Sequence, residues 1–247
     1  FQQSYKNYEY IVIDGGSTDN SRQLLSNHAA NLTCWISEPD DGVYHAMNKG
    51  IALARGTYLM FLNSGDYLIN EAVLQDAAAA MRQAEADVYY GDIIIEKEAG
   101  TPVSKKHPQQ ISLQYILNQT INHQASFIRR QLFTELGNYN TGYRFAADHA
   151  FYVKAFLAGK TFMYLDMDMV HYELTGISSQ NAHAYYAEMM DIREAMVPPY
   201  VKELQQQILS QQAVMQQRIV RSALGVNKWY QRCRKLLKKN KNSRTDK

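Results

Sequence analysis

Three short apolar runs near the start of the chain each end in a turn rich in acids and glycine. Tyr10–Ile13 runs into Asp14-Gly15-Gly16-Ser17-Thr18-Asp19, and Leu32–Ser37 into Glu38-Pro39-Asp40-Asp41-Gly42. Tyr58–Leu62, almost wholly apolar, runs into Asn63-Ser64-Gly65-Asp66. A helix pattern follows each turn, and repeated strand–turn–helix order predicts an α/β fold with a mostly parallel sheet flanked by helices. Ligands of such sheets bind beyond the carboxyl ends of the strands. Three strands would therefore deliver carboxylates to one edge. Crowded acids repel, so the arrangement makes sense where a cation or hydrogen-bond donors sit among them. Hard oxygen donors suit magnesium or manganese, which bridge to a diphosphate.

The rest of the chain extends the pattern. Helices are expected from a Ser17 cap to about Asn27, over Val43–Ala54 until Arg55-Gly56 stops it, and over Glu71–Ala84 with Asn70 as cap. Val88–Glu96 reads as a strand and Gly100–Gln110 as a loop. Ser112–Asn118, Gln131–Leu136 and Asp148–Leu157 read as helices, and Ala125–Ile128 and Phe162–Val170 as extended. From about Gln180 the sequence turns helical and Gln-rich, broken by Pro198-Pro199. The organisation expected is a domain over 1–179 and a helical C-terminal extension over 180–247.

Composition narrows the class. With 247 residues, 46% hydrophobic and only 13 Gly and 5 Pro, the chain is neither disordered nor collagen-like. Cys34 and Cys233 lie far apart without metal-ligand spacing, which argues against a cysteine zinc site and fits a reducing compartment. No apolar run reaches the ~18–20 residues that span a bilayer. Residues 218–247 hold 11 Lys and Arg against the single acid Asp246, whereas residues 1–217 hold 15 against 23. An acidic body thus carries a basic tail. In that tail Trp229, Cys233, Leu236 and Leu237 recur among Lys228, Arg232, Arg234, Lys235, Lys238 and Lys239. This pattern over 228–239 suits peripheral contact with an anionic membrane, and equally a solvated end. The acidic body continues no basic face, so no nucleic acid is expected as partner. The expected location is the cytoplasm, with peripheral contact at the inner face of the cell membrane.

Each turn alone reads as an ordinary loop with a helix cap; their order and spacing carry more. The segments YEYIVIDGGSTDNS, WISEPDDGVYHAMNKGIALARG and YLMFLNSGDYL resemble the nucleotide-sugar-binding half of family-2 glycosyltransferases, which have the GT-A fold. The likeness continues through NHQASFIRRQLFTELGNYN and YRFAADHAFYVKAFLAGK to HYELTGISS, covering about residues 5–180. The resemblance implies a GT-A fold in which a further strand precedes Tyr10–Ile13 and frames the nucleobase. This sequence meets its first strand by residue 10, so an N-terminal strand reads as missing.

The resemblance also implies roles. Asp14 would border the nucleobase pocket over the turn shaped by Gly16 and Ser17. Glu38, Asp40 and Ser64 would line the donor site, with Asn48 and Lys49 on the helix closing over the nucleotide. Asp66 matches the last acid of the family's metal motif, and Asp148, in Ala-Ala-Asp-His, its catalytic base. His171 is a further candidate for the metal shell. His123, in Asn-His-Gln, is a candidate to touch diphosphate or acceptor, or else an ordinary polar loop residue; His149 follows the base and is expected to face away. The implied partners are a nucleotide-diphosphate sugar, a UDP-sugar foremost, and a saccharide or lipid-linked saccharide acceptor. The implied reaction is inverting, metal-assisted transfer of a single sugar, since the Gln-x-x-Arg-Trp motif of processive synthases is absent from this sequence. Two rival readings stand beside it: a non-catalytic nucleotide-sugar-binding scaffold, and a sugar nucleotidyltransferase. Gly65 and Gly15, at positions where relatives often carry further acids, favour the first rival; Asp148 and the Glu38–Gly50 segment disfavour the second.

Overall fold

In the computed structural model, the residues described are 1–96, 101–173, 181–204 and 206–217. The strands are β1 (Ile11–Asp14), β2 (Cys34–Ser37), β3 (Tyr58–Leu59), β4 (Tyr67–Leu68), β5 (Val88–Glu96), β6 (Pro102–Lys105), β7 (Ser126–Arg129) and β8 (Phe162–Tyr172). The helices are α1 (Ser21–Asn27), α2 (Val43–Leu53), α3 (Val73–Met81), α4 (Leu113–Asn118), α5 (Gln131–Leu136), α6 (Ala147–Leu157) and α7 (Ala182–Met196). The chain divides into two compact units, Phe1–Met196 and Val197–Lys247, and α7 lies in the first. In the second, 199–204 and 206–217 are helical. The basic stretch 228–239 and the loop Thr175–Ser178 lie outside the described residues.

The expected α/β architecture is present, with mixed strand directions. β1 and β2 pair in parallel as a two-stranded sheet, Ile11 opposite Cys34 and Asp14 opposite Ser37. The six-stranded sheet runs β3-β7-β5-β8-β4 with β6 on β5. Within it β5 and β8 are parallel, while β3–β7, β4–β8, β5–β6 and β5–β7 are antiparallel. Strand β5 is flanked on both sides, and Val88–Ile93 is buried throughout. The core gathers on it: Tyr89 and Ile93 pack with Val73, Ala77, Phe127, Met169 and Val170. Even Asp92 is buried there, accepting from the His107 backbone N–H (2.7 Å) and the Tyr164 hydroxyl (2.5 Å) and pairing with Lys106 (2.9 Å).

Local differences from the sequence reading have local causes. Helix α1 begins at Ser21 because the Ser17 hydroxyl and N–H turn back to Asp14 instead of capping a helix. Strand β3 is two residues long and pairs antiparallel with β7; Leu62, at the end of the apolar run read as a strand, is 42% exposed. The expected loop over Gly100–Gln110 contains β6, which supplies the partner for the outer half of β5 from Ile93 to Glu96. Helix α3 starts at Val73, after Asn70 Oδ1 has accepted from the Ala72 N–H (2.8 Å).

Candidate active site

The turns after β1 and β2 lock onto each other. Asp14, at the end of β1, accepts from the Ser17 N–H (3.1 Å), the Ser17 hydroxyl and the Ser37 hydroxyl (2.6 Å). The Ser17 and Ser37 hydrogen bonds hold the Asp14 carboxyl below the usual carboxylate range. Gly16 sits at φ +85, where a Cβ would meet the Pro39 backbone at 3.1 Å. In the facing turn, Asp40 Oδ1 accepts from the Gly42 N–H (3.0 Å), while Glu38 pairs with Lys49 at 2.8 Å. Asn48 grips the Tyr139 backbone with both ends of its amide, donating at 2.9 Å and accepting at 3.1 Å.

One cleft of about 2000 Å³ brings together Asp14, Ser17, Ser64, Asp66, His123 and Asp148. Gly16, Glu38, Asp40, Asn48, Lys49 and His171 are not on its wall. The bonds just described give Glu38, Asp40, Asn48 and Lys49 each a partner within the protein. His171, on β8 opposite Tyr67, stacks on that ring (4.7 Å between centroids) and places Nε2 3.5 Å from Glu96. It is directed to Glu96 rather than to Asp66.

The two carboxylates at the heart of the cleft are tied by consecutive residues of one short 3-10 turn, His123–Ala125. Gln124 Nε2 donates to Asp66 Oδ2 (3.0 Å), and His123 Nδ1 lies 2.8 Å from Asp148 Oδ2. Asp66 Oδ1 accepts from the Glu173 N–H (3.0 Å). The Glu173 carboxylate rests against Gly65, in space that a Cβ would fill. Among the described residues, no cluster of three or more His, Cys, Asp or Glu is placed to hold a metal alone. Asp66 and Glu173 are nonetheless hard oxygen donors of the kind that share a divalent cation with substrate phosphates. The residues therefore fit a cation completed by a diphosphate.

Asp148 stands in the first turn of α6 and is only 6% exposed. Its Oδ1 accepts from the Tyr44 hydroxyl (2.7 Å) and its Oδ2 from His123. Burial pushes the carboxyl upward, but the His123 hydrogen bond and charge, with the Tyr44 hydroxyl, outweigh it and leave it below the usual range. The turn before α6 is held from two sides. Tyr44 also donates to the Phe145 carbonyl (2.9 Å). Glu188 of α7 accepts from the backbone N–H groups of Arg144, Phe145 and Ala146 at 2.8, 2.8 and 2.9 Å. His149 faces the interior, fully buried, and burial lowers its pKa to about 4. Tyr44, Asn63, Gln124, Glu173 and Glu188 escaped the sequence reading. Asn-His-Gln and Asn-Ser-Gly-Asp contained a signal for two of them; Glu188, more than 40 residues from its partners, left none.

A family model described as "Glycosyl transferase family 2" matches residues 1–151. A "PGL/p-HBAD biosynthesis glycosyltransferase" of Mycobacterium bovis is 36% identical over 160 residues, 63% of this chain and 60% of its own length. "Glycosyltransferase GlyG" of Streptococcus pneumoniae is 26% identical over 177 residues, 62% of this chain and 58% of its own. The chain thus spans about 60% of the length of the curated relatives it matches. Among solved structures, S. aureus TarS 1-349 in complex with UDP superposes with TM-score 0.60 at 20% identity, over 81% of this chain and 61% of that one. The mannosyltransferase PcManGT from Pyrobaculum calidifontis, in complex with GDP-Man and Mn2+, superposes with TM-score 0.57 at 16% identity, over 80% and 59%. At these identities the structural likeness concerns the fold.

Proposed function

The chain belongs to glycosyl transferase family 2, and from that premise we propose that it moves a single sugar from a nucleotide-diphosphate sugar to a hydroxyl of a saccharide or lipid-linked saccharide, with inversion. The observation that carries this reading is the shared cleft, in which Asp66 and Asp148 are linked through Gln124 and His123. Transfer needs two things at once: relief of charge on a departing diphosphate and removal of a proton from the attacking hydroxyl. Asp66, with Glu173 beside it, serves the first need and Asp148 the second.

Asp66 and Glu173 would hold magnesium or manganese, which when bound neutralises charge on the diphosphate. Ser64, on the same turn, would donate a hydroxyl hydrogen bond to the diphosphate, and Asp14 and Ser17, which also line the cleft, would face the nucleoside. Asp148 provides the base on the acceptor side, fixed in direction by Tyr44. A base and a leaving group on opposite sides of the anomeric carbon give inversion in one displacement. A UDP-sugar is the first donor to test, in keeping with the UDP held by the TarS neighbour, and a GDP-sugar the second, after PcManGT. A lipid-linked acceptor would bring the protein to a cytoplasmic membrane face; among the described residues no helix is long and apolar enough to cross a membrane.

Calorimetric titration with UDP, GDP, CDP and dTDP, with and without manganese, tests the donor side on wild type and Asp66→Ala. The reading expects manganese-dependent binding of one nucleotide, lost in the variant. Absence of binding by all four would overturn it.

A further inference from the structure

We propose that the acceptor is a glycoside whose terminal pyranose ring lies against Tyr185 and Tyr186 of α7, with Tyr186 as the platform that decides which saccharides are taken. The inference rests on the glycosyl-transfer reading and names the acceptor class of that cleft.

The residues that share the cleft with Asp148 include three aromatics beside the base: Phe145, Tyr185 and Tyr186. Helix α7 is held firmly there. Its Glu188 accepts from the three backbone N–H groups just before α6, its Met189 and Ile192 are buried, and Arg193 donates to Asn118 Oδ1 at the end of α4 (3.3 Å). Tyr185 stands three residues before Glu188, on the same face of the helix, and so is carried to the turn that Glu188 binds. Burial, and next the charge of Asp148, raise the Tyr185 hydroxyl pKa, as expected of a ring set beside that carboxylate.

Tyr186 has no comparable part in holding the fold. Its ring meets that of Tyr185 edge-on, with centroids 5.6 Å apart and planes at 71°, yet the residue is 60% exposed. Ala182, four residues earlier on the same stripe, also lines the cleft, and its single methyl covers little of the ring. A large aromatic left open in a cleft wall offers apolar area to a ligand. A pyranose matches it, with a face of C–H groups for the ring and hydroxyls at the rim for polar groups and water. Asp148 is only 6% exposed, so an acceptor hydroxyl that reaches it brings its own ring down to the neighbouring wall. The reach of the family agrees with this division. Residues 1–151, matched by the family model, contain Asp14, Asp66 and Asp148, whereas α7 lies beyond them. The base and the donor side thus belong to the shared part, and the two tyrosines to the part outside it.

Binding of methyl glycosides tests the platform. The full chain, with manganese and whichever of UDP, GDP, CDP and dTDP it binds, would be titrated with the methyl pyranosides of glucose, galactose, mannose, rhamnose and N-acetylglucosamine, followed by saturation-transfer NMR. At least one is expected to bind, with saturation strongest on the C–H protons of one ring face. Tyr186→Ala is expected to weaken that binding by about three- to tenfold, and Tyr186→Phe, which keeps the ring, by less than about twofold. Nucleotide affinity should stay within about twofold in both, and the exposure of Tyr186 leaves the fold intact in either variant. Binding of none of these glycosides by wild type overturns the platform. So does a loss below about threefold in Tyr186→Ala, or a loss in Tyr186→Phe as large as in Tyr186→Ala. If wild type binds none of the four nucleotides, the transfer reading fails and the platform with it; normal nucleotide binding with glycoside binding indifferent to Tyr186 removes only the platform.

Discussion

His149 makes the stability of this fold depend on pH in a calculable way. The ring is fully buried, neither nitrogen has a hydrogen-bond partner among the described residues, and burial lowers its pKa from 6.5 to about 4. Between those values the unfolded chain binds a proton that the native state refuses, so stability rises with pH across this window. The contribution is complete above the unfolded pKa and is lost progressively as pH falls toward 4. That difference in pKa corresponds to about 3 kcal/mol, most of which falls between pH 7.5 and pH 4.5. His107, also buried with a lowered pKa, contributes in the same direction, so the measurement must be a difference. Urea unfolding of wild type and His149→Gln at pH 7.5, 6.5, 5.5 and 4.5 supplies it. The variant is expected to lose about 2–3 kcal/mol less than wild type on acidification. Parallel pH curves for the two proteins would refute the assignment of a neutral, desolvated imidazole at this position.

Two further substitutions separate holding the site from binding the donor. Glu188→Ala leaves three backbone N–H groups before α6 without their acceptor and should cost about 1–3 kcal/mol in urea unfolding; an unchanged midpoint would show that water replaces the carboxylate without loss. Asn48→Ala removes both bonds to the Tyr139 backbone and should cost about 1–3 kcal/mol while leaving nucleotide affinity within about twofold. A tenfold loss of nucleotide affinity at unchanged stability would return Asn48 to the donor-contacting role that the family resemblance implies.

The parts of the site legible in sequence were those fixed by local chain chemistry. An apolar run ending in Asp-Gly-Gly-Ser announces a strand, a turn and a carboxylate at the sheet edge, and Asp14 stands there. The same holds for Asn63-Ser64-Gly65-Asp66, whereas Asp148, in the first turn of α6, was singled out by the family resemblance alone. What stayed hidden depends on partners distant in the chain. Tyr44 reads as one more aromatic on the apolar side of α2, and only the fold brings its hydroxyl to Asp148, 104 residues away. Asn48 and Lys49 carry donor-binding chemistry by type, yet Tyr139 and Glu38 take up their polar groups. His171 follows the strand pleat toward Tyr67 and Glu96, an outcome set by register with β4 and not by its neighbours in sequence. Strand directions were invisible for the same reason: the apolar pattern of β7 or β4 is the same whichever way its partner runs.

The central claim is that the cleft between Asp66 and Asp148 performs sugar transfer, and one comparison tests it most directly. Nucleotide release from a sugar donor of the nucleotide that binds in the calorimetric titration would be measured beside nucleotide binding, for wild type and Asp148→Asn. The account predicts turnover reduced at least about 100-fold with nucleotide affinity within about threefold of wild type. Turnover unchanged by Asp148→Asn would contradict it.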